Sequence, residues 1–205
     1  MNRNILFLLH IPPPVHGSSI VGKYIKSSHL INSHFNCRYL NLLASKRVRN
    51  SGKLSVAKIF NFIKLLFKLI KELIFYKPNL VYIALSTTGF ALFKDIIIIF
   101  ILKIFRIKKV YHLHNKGVSK KSKLLISKIV YKYIFNDTDV IILSDYLYYD
   151  VKEFVPKNRV HVCPNGIPIL KSVQPNTNSK IINILFLSNL IESKGVYILL
   201  NALSR

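Results

Sequence analysis

The amino-acid sequence predicts an α/β protein with a doubly wound, parallel sheet, a Rossmann-like arrangement. Short runs of apolar residues alternate with longer segments whose apolar residues recur at helical spacing. Strands that are apolar throughout are typical of a parallel sheet covered by helices on both faces. With 205 residues, 51% of them hydrophobic, the chain can form one such domain and part of a second.

Strands and helices are predicted in strict alternation. The predicted strands are Asn4–Leu9, Phe35–Leu42, Leu80–Leu85, Lys109–His114, Asp139–Ser144 and Arg159–Cys163. The predicted helices are Ser18–Ser33, Leu54–Phe75, Phe90–Phe105, Lys120–Phe135 and the short Asp145–Phe154. Two of them, Leu54–Phe75 and Lys120–Phe135, are amphipathic with lysines on the polar face, whereas Phe90–Phe105 is apolar enough to predict a largely buried helix. We therefore expect about six parallel strands within residues 1–165.

A polar segment marks a domain boundary. Lys171–Lys180 contains Pro175 and several Asn and Ser residues, which is typical of a linker. A new apolar strand, Ile181–Leu187, and a helix from Ser193 follow it. The sequence therefore predicts an N-terminal domain over residues 1–170, a linker over 171–180, and the first strand and helix of a second Rossmann-like domain over 181–205.

The chain is strongly basic, with 31 Lys and Arg against 8 Asp and Glu and a formal charge of +23. Such an excess favours a polyanionic partner, which leaves nucleic acid, an anionic membrane surface and phosphate-bearing substrates open. A biased base composition of the coding DNA is a competing source of the lysines. A basic nucleic-acid- or membrane-binding protein without catalysis is the alternative function, but the lysines form no single tract and no nucleic-acid-binding motif is present, so no nucleic acid is expected.

The sequence predicts a cytoplasmic protein. Its start is too short for a signal peptide, and the longest apolar run, Ile96–Leu102, is far shorter than a membrane span. Cys37 and Cys163 are expected to be reduced, buried side chains in strands. The lysine-rich helices favour a peripheral position on the inner face of an anionic membrane.

The loop after the first strand is the first candidate ligand site. It contains three prolines, then His16, Gly17, Ser18 and Ser19 at the start of a helix. Gly17 permits close approach of a ligand to the backbone, and a serine cap leaves N–H groups free to bind an anion. A rigid, proline-rich turn with an ordinary helix cap is the competing interpretation. The loop matches neither a dinucleotide fingerprint nor a phosphate-binding P-loop.

The end of the fourth strand is the second candidate site. Strand alternation places His112 and His114 on the same face, with His114 nearer the ligand-binding edge. Asn115 and Lys116 follow in the loop and are candidates for substrate contact. A metal site and a purely structural role for the histidines remain alternatives, although no carboxylates or cysteines accompany the pair.

A third candidate is Lys194 at the start of the last helix. Its charge, together with the helix dipole, would suit a diphosphate, and a solvated lysine is the competing interpretation.

Taken together and in this order, these segments resemble the GT-B glycosyltransferases of the large retaining family that includes many polysaccharide and lipopolysaccharide enzymes. The resemblance covers essentially the whole chain. Its motifs are the proline-rich loop with His16-Gly17-Ser18, the strand end Tyr111–Gly117, Ile142-Leu143-Ser144-Asp145, Val162-Cys163-Pro164-Asn165-Gly166-Ile167, Ile184–Leu190 and Glu192-Ser193-Lys194-Gly195.

The resemblance implies a role for each candidate residue. His114 corresponds to the active-site histidine that contacts the transferred sugar. Gly17, Ser18, Asn189 and Lys194 correspond to positions near the donor diphosphate, although the family often has Arg where this chain has Asn189. The remaining candidates would belong to the acceptor or substrate loops: His16, His112, Asn115 and Lys116.

The implied reaction is transfer of a hexosyl-type sugar from a nucleoside diphosphate sugar to a glycan or lipid-linked acceptor, with retention of configuration, in cell-surface polysaccharide or lipopolysaccharide synthesis. The resemblance implies no metal and no other cofactor. The family's Glu-x7-Glu donor motif would lie further along than residue 205, so we expect this chain to be inactive by itself.

Overall fold

The computed structural model describes residues 3–43, 56–166, 184–188, 190 and 192–204. The chain divides into two compact units, Met1–Gly166 and Ile167–Arg205. Each unit is described by itself below.

The first unit contains a six-stranded sheet in which every pair of neighbouring strands is parallel. Its strands are β1 (Asn4–Leu9), β2 (Asn36–Asn41), β3 (Leu80–Leu85), β4 (Lys108–Leu113), β5 (Asp139–Ile142) and β6 (Val160–Val162). They are arranged in the order β2-β1-β3-β4-β5-β6. The structure therefore confirms the parallel α/β class, the number of strands and, within one to two residues, their positions.

The helices are α1 (Gly17–Ser27), α2 (His29–His34), α3 (Val56–Lys71), α4 (Gly89–Ile104), α5 (Val118–Lys121), α6 (Leu125–Phe135) and α7 (Val196–Leu203). Three segments predicted as single helices are each divided, and these are Ser18–Ser33, Leu54–Phe75 and Lys120–Phe135, the last of which contains the end of α5 and all of α6. The predicted short helix Asp145–Phe154 is not an α-helix, because its first residues form a 3₁₀ turn, Asp145–Asp150. Ser28 ends α1 in an extended conformation, and its side chain accepts a hydrogen bond from the backbone of Ile31, so that it begins α2. At its carboxyl end α3 continues into a π-helical turn, Glu72–Tyr76.

Helices cover both faces of the sheet, as the doubly wound prediction requires. On one face α3, α4 and α6 pack on a large core that includes the fully buried Leu6, Ile83 and Tyr111. On the other face α1 and α2 cover a smaller core around Phe7 and Tyr82. The step from β1 to β2 runs across the sheet in the direction opposite to the later steps, so a right-handed crossover places its helices on the opposite face.

The prediction that the helix over Phe90–Phe105 is largely buried is wrong. Ile98, Ile99 and Leu102 of α4 are buried against the sheet, whereas Phe93 is 64% and Ile104 62% exposed. A helix in an outer layer has only one face against the sheet. In a segment that is apolar around its whole circumference, the sequence does not identify which side faces outward.

Both cysteines are free thiols. Cys37 lies in β2 and is partly buried, whereas Cys163 directly follows β6 and is exposed, so the prediction of two buried cysteines is wrong for Cys163. None of the described helices is long and apolar enough to cross a bilayer.

In the second unit, the described regular structure is α7 and a preceding 3₁₀ turn, Glu192–Lys194. Residues 184–187, which belong to the predicted strand Ile181–Leu187, form no strand. A β-strand needs a hydrogen-bonded neighbour, and no strand of the described residues pairs with this segment. The predicted linker over 171–180 and residues 181–183 lie outside the described residues.

Candidate active site

The strand order reverses between β1 and β3, which are neighbours in the sheet. The connection that leaves β1 goes to one face and the connection that leaves β3 goes to the other. Parallel α/β sheets bind ligands at such a switch point, in the crevice outside the carboxyl ends of the strands. The loops at this point are residues 10–16, before α1, and residues 86–88, before α4.

Two histidines flank the loop that follows β1. His10 comes directly after the strand, and His16 is the residue before the first turn of α1. The Ser18 hydroxyl lies 3.1 Å from Nδ1 of His10 and 3.1 Å from Nδ1 of His16. The two rings are 5.9 Å apart, centroid to centroid, in an edge-to-face arrangement. Ser18 therefore joins the histidines at the two ends of the loop.

The first turn of α1 presents free donors. The N–H groups of Ser19 and Ile20 both donate to the carbonyl of His16, at 3.0 Å. Within the described part of the chain, the N–H groups of Gly17 and Ser18 have no hydrogen-bond acceptor. A Cβ on Gly17 would meet no atom within 4 Å. The fold therefore does not require glycine at position 17, and the space beside the free donors is open to a ligand.

The second pair of histidines lies on β4 and just beyond it. The rings of His112 and His114 are 4.1 Å apart, which confirms that they lie on the same face of the sheet. Nδ1 of His112 shares a short hydrogen bond with the hydroxyl of Tyr82. Nε2 of His112 and Nδ1 of His114 are buried and have no hydrogen-bond partner among the described residues. Two ring nitrogens are therefore left for a ligand or for water.

Burial and mutual repulsion lower the pKa values of the histidines at this edge. Burial lowers the pKa of His10, His112 and His114 to about 4, and it also lowers the pKa of His16. Repulsion from His16, His114 and Lys94 adds to the effect on His10, and repulsion from His16 adds to the effect on His114. At neutral pH the buried histidines are therefore uncharged, and each ring has one nitrogen that donates and one that accepts.

Asp150 holds the loop after β4 in place. Its buried carboxylate accepts hydrogen bonds from the N–H groups of Gly117 (2.8 Å), Val118 (3.2 Å) and Ser119 (3.1 Å), and from the Ser119 hydroxyl (2.9 Å). These groups lie at the start of α5, where N–H groups have no acceptor within the helix. A carboxylate distant in sequence therefore accepts their hydrogen bonds. Asp150 thereby fixes the loop that begins at His114.

The loop after β3 is also held at several points. Asp95 accepts a hydrogen bond from the N–H of Ser86 at 2.9 Å, and the hydroxyl of Tyr131 donates to the carbonyl of Thr87 at 2.7 Å. The N–H of Thr87 donates to Oδ1 of Asn115 at 3.3 Å. The Thr87 hydroxyl is buried and has no partner among the described residues.

The predicted site residues therefore fall into distinct groups. His16, Gly17 and Ser18 are brought to the same sheet edge as His112 and His114, while Asn115 ties the loop after β4 to the loop after β3. Lys116 is exposed and makes no ion pair in the described residues. In the second unit, Lys194 is exposed within its 3₁₀ turn, and Asn189 lies outside the described residues.

The sequence interpretation missed three residues at this edge. His10 directly follows an apolar strand, so the signal that drew attention to His114 also marked His10. Thr87 and Asp150 carry no such signal, because their importance depends on which loops the fold brings together.

The histidines do not form a recognisable metal site. In residues 3–43 and 56–166 and the described part of the second unit, no group of three or more His, Cys, Asp or Glu side chains is arranged to hold a metal ion. The chemistry that the edge offers is hydrogen bonding by neutral imidazoles, hydroxyls and backbone N–H groups.

Comparison with known proteins finds no match to this chain among family models, curated proteins or solved structures.

Proposed function

We propose that this chain belongs to a GT-B-type, retaining glycosyltransferase that uses a nucleoside diphosphate sugar. One observation carries the proposal: free N–H groups at the start of α1 and the unpartnered nitrogens of His112 and His114 lie at the same carboxyl edge of a parallel sheet, at its topological switch point and on the strand beside it. Such a combination suits a ligand that carries both phosphate and hydroxyl groups.

The start of α1 and the His114 ring bind different parts of the donor. The N–H groups of Gly17 and Ser18, at the positive end of the α1 dipole, bind diphosphate oxygens. The lowered pKa of His114 leaves its ring uncharged, with one nitrogen that donates and one that accepts. Such a ring forms hydrogen bonds with hydroxyls of the transferred sugar. Charge accumulates on the diphosphate as the sugar departs, and donors that are fixed beforehand lower that barrier.

The neutral histidines do not neutralise a diphosphate, so the proposal needs a cation elsewhere. The family resemblance gives this role to Lys194, with Asn189, in the donor domain of the glycosyltransferase. Lys116 and Asn115 belong to the side of the acceptor, a glycan or lipid-linked sugar. The setting is the cytoplasmic face of the membrane, in the synthesis of cell-surface polysaccharide or lipopolysaccharide.

Imidazole and amide NMR signals of the isotope-labelled chain test the proposal. We expect nucleoside diphosphate sugars, titrated to millimolar concentration, to shift the ring signals of His16 and His114 and the amide signals of Gly17 and Ser18. His161 provides an internal control, because it lines a cleft at the amino edge of the sheet. Its ring signals should not move.

A pair of substitutions makes the test specific. His114→Ala should weaken binding of the preferred donor by about tenfold, the value of one or two lost hydrogen bonds. His161→Ala should leave it unchanged. If no nucleotide sugar moves the signals of His16 or His114, or if duplex DNA binds in a salt-sensitive way while the donors do not, the glycosyltransferase proposal is wrong.

A further inference from the structure

Three neighbouring helices on one face of the sheet expose large apolar side chains to solvent. Because α3, α4 and α6 all pack on the same core, their outward sides form one layer of the molecule, which we call the outer helical face. Its exposed apolar residues are Val56, Ile59, Phe60, Ile63 and Phe67 on α3, Phe90, Phe93, Ile97, Phe100 and Ile104 on α4, and Leu125, Ile126, Ile129 and Tyr133 on α6.

These residues follow the helical repeat. On α4, the residues Phe93, Ile97, Phe100 and Ile104 are separated by four, three and four positions, which places them in one stripe along the helix. Monomeric proteins in water rarely expose a large, contiguous apolar patch, and such patches mark sites of interaction. The stripe therefore calls for a partner.

The same helices are basic. They carry Lys58, Lys64, Lys68 and Lys71 on α3, Lys103 on α4, and Lys128 and Lys132 on α6. Lys128 is paired with Glu153, and Lys94 of α4 acts instead on His10 at the candidate active site. Asp95, which is buried, is the only acidic residue within the three helices. The outer helical face is therefore apolar and cationic together, the combination found in proteins that lie on anionic membranes.

We propose that the outer helical face docks on an anionic lipid bilayer, with the stripe on α4 inserted among the acyl chains and the lysines on the lipid phosphates. A second copy of this chain fits less well, because each copy carries a net charge of +23 and the two would repel. A nucleic acid would bind the lysines but leave the phenylalanines in water. A bilayer with anionic headgroups satisfies both.

A basic cleft continues this surface at one end. The stripe on α4 ends at Ile104, next to Lys103, which lines a cleft of about 720 Å³ at the amino edge of the sheet. The two acidic groups in the cleft are paired, Asp137 with Arg159 at 2.8 Å and Asp139 with His161 at 3.4 Å. The cleft's remaining basic residues, Arg106, Lys108 and Lys109, form no ion pair among the described residues, and they are placed to bind headgroup phosphates.

The docking proposal goes beyond the proposed function and does not depend on it. It rests on α3, α4 and α6, whereas the candidate active site lies at the carboxyl edge and uses α1 and the ends of β1 and β4. His114→Ala, which should impair donor binding, should leave membrane binding unchanged. The two proposals can therefore fail separately.

The chain contains no tryptophan, so a single introduced tryptophan reports its own position. Phe100→Trp places the probe on the stripe, and Leu30→Trp places a control on α2, on the other side of the sheet. With vesicles of phosphatidylcholine and phosphatidylglycerol, Trp fluorescence should shift to the blue and be quenched by brominated acyl chains in the Phe100→Trp protein. The Leu30→Trp protein should show neither effect.

Cosedimentation of the full chain with the same vesicles measures the affinity. The double variant Phe93→Ser and Phe100→Ser should bind at least tenfold more weakly than the parent chain, and Tyr24→Ser with Leu30→Ser should bind equally well. Lys64→Gln with Lys68→Gln should lose about fivefold in affinity per lysine, whereas Lys23→Gln with Lys26→Gln on α1 should lose much less. Circular dichroism establishes that each variant is folded.

Three outcomes would overturn the proposal. If the chain binds neutral and anionic vesicles equally well, the lysines do not contribute to docking. Equal loss of binding in the stripe variant and its control indicates adsorption by charge alone. A dimer in solution that Phe93→Ser with Phe100→Ser converts to a monomer, without any vesicle binding by the parent chain, assigns the outer helical face to a second copy.

Discussion

Gly22 packs directly against the carbonyl group of His10. A Cβ on Gly22 would stand 2.0 Å from the carbonyl oxygen of His10 and 3.1 Å from its carbon. Both atoms belong to the backbone, so neither can rotate away. This contact fixes α1 against the end of β1 and thereby sets the position of His16, Gly17 and Ser18 relative to His10.

Gly22→Ala should therefore destabilise the chain. The added methyl group displaces α1 or the end of β1, and we expect the free energy of unfolding in urea to fall by about 1–3 kcal/mol. Gly17→Ala is the matched control in the same helix, because an added Cβ there meets open space, and its effect should stay within about 0.5 kcal/mol. Equal effects of the two substitutions would contradict the packing argument.

Asp150→Asn should loosen the loop that carries His114. The amide cannot accept from all the N–H groups that the carboxylate satisfies, and we expect a loss of about 2 kcal/mol in the free energy of unfolding. Amide hydrogen exchange at residues 117–119 should become faster. Asp145→Asn is the control, because Asp145 lies in the same 3₁₀ turn as Asp150, Asp145–Asp150. Asp145 is exposed and pairs with the exposed Lys157, so its loss should change stability by less than about 0.5 kcal/mol.

Thr87→Val should be neutral or stabilising, because the Thr87 hydroxyl is buried without a hydrogen-bond partner among the described residues. Replacing it by a methyl group removes a buried polar atom, and we expect a gain of about 1 kcal/mol in the free energy of unfolding. Thr138 is equally buried, but its hydroxyl donates to the carbonyl of Asn136 at 3.2 Å. Thr138→Val should therefore cost about 1 kcal/mol. If both substitutions raised the free energy of unfolding, or both lowered it, the hydrogen-bond assignment would be wrong.

Acid should destabilise the chain as the pH falls from about 6.5 to 4. The pKa of His10, His112 and His114 is about 4 in the folded state, below the 6.5 of an unfolded histidine, so in this interval the unfolded chain binds more protons. Each such histidine lowers the free energy of unfolding by up to about 1.4 kcal/mol per pH unit as the pH decreases. Urea unfolding between pH 4 and 7.5 measures the slope.

Asp95 acts in the opposite direction and supplies the control. Burial raises its pKa to about 6, so between pH 6 and 4 the folded chain binds this proton more readily than the unfolded chain, and the contribution of Asp95 to stability grows as the pH falls. One carboxyl group opposes three histidines, so the net change remains a loss. Asp95→Asn should make the loss steeper. If the free energy of unfolding did not change between pH 6.5 and 4, the conclusion that these histidines are buried in the uncharged form would be wrong.

The positions of the strands could be predicted because each consists of a short apolar run between polar or turn-forming residues. β1 and β3 occupy the predicted residues, and β4 is displaced by one. The helix breaks were harder to predict. Apolar spacing continues through Ser28, and only the backbone shows that its side chain caps a second helix.

The candidate site was predictable only where polar residues end a strand. That signal identifies His112 and His114 in the sequence, and it applies equally to His10. It does not identify Asp150 or Tyr131, whose contacts join segments that lie 31 or more positions apart. The protonation of the histidines was not predictable either, because the cause of their lowered pKa is burial.

By itself, the sequence determined that the chain forms a parallel α/β sheet, that its surface is strongly basic, and that histidines stand at the carboxyl ends of strands. These properties follow from local periodicity and composition. Only the tertiary structure decided which histidines meet, because that depends on the order β2-β1-β3-β4. It also decided which apolar residues of α4 remain in solvent, since a helix that is apolar on every side buries only the face that touches the sheet.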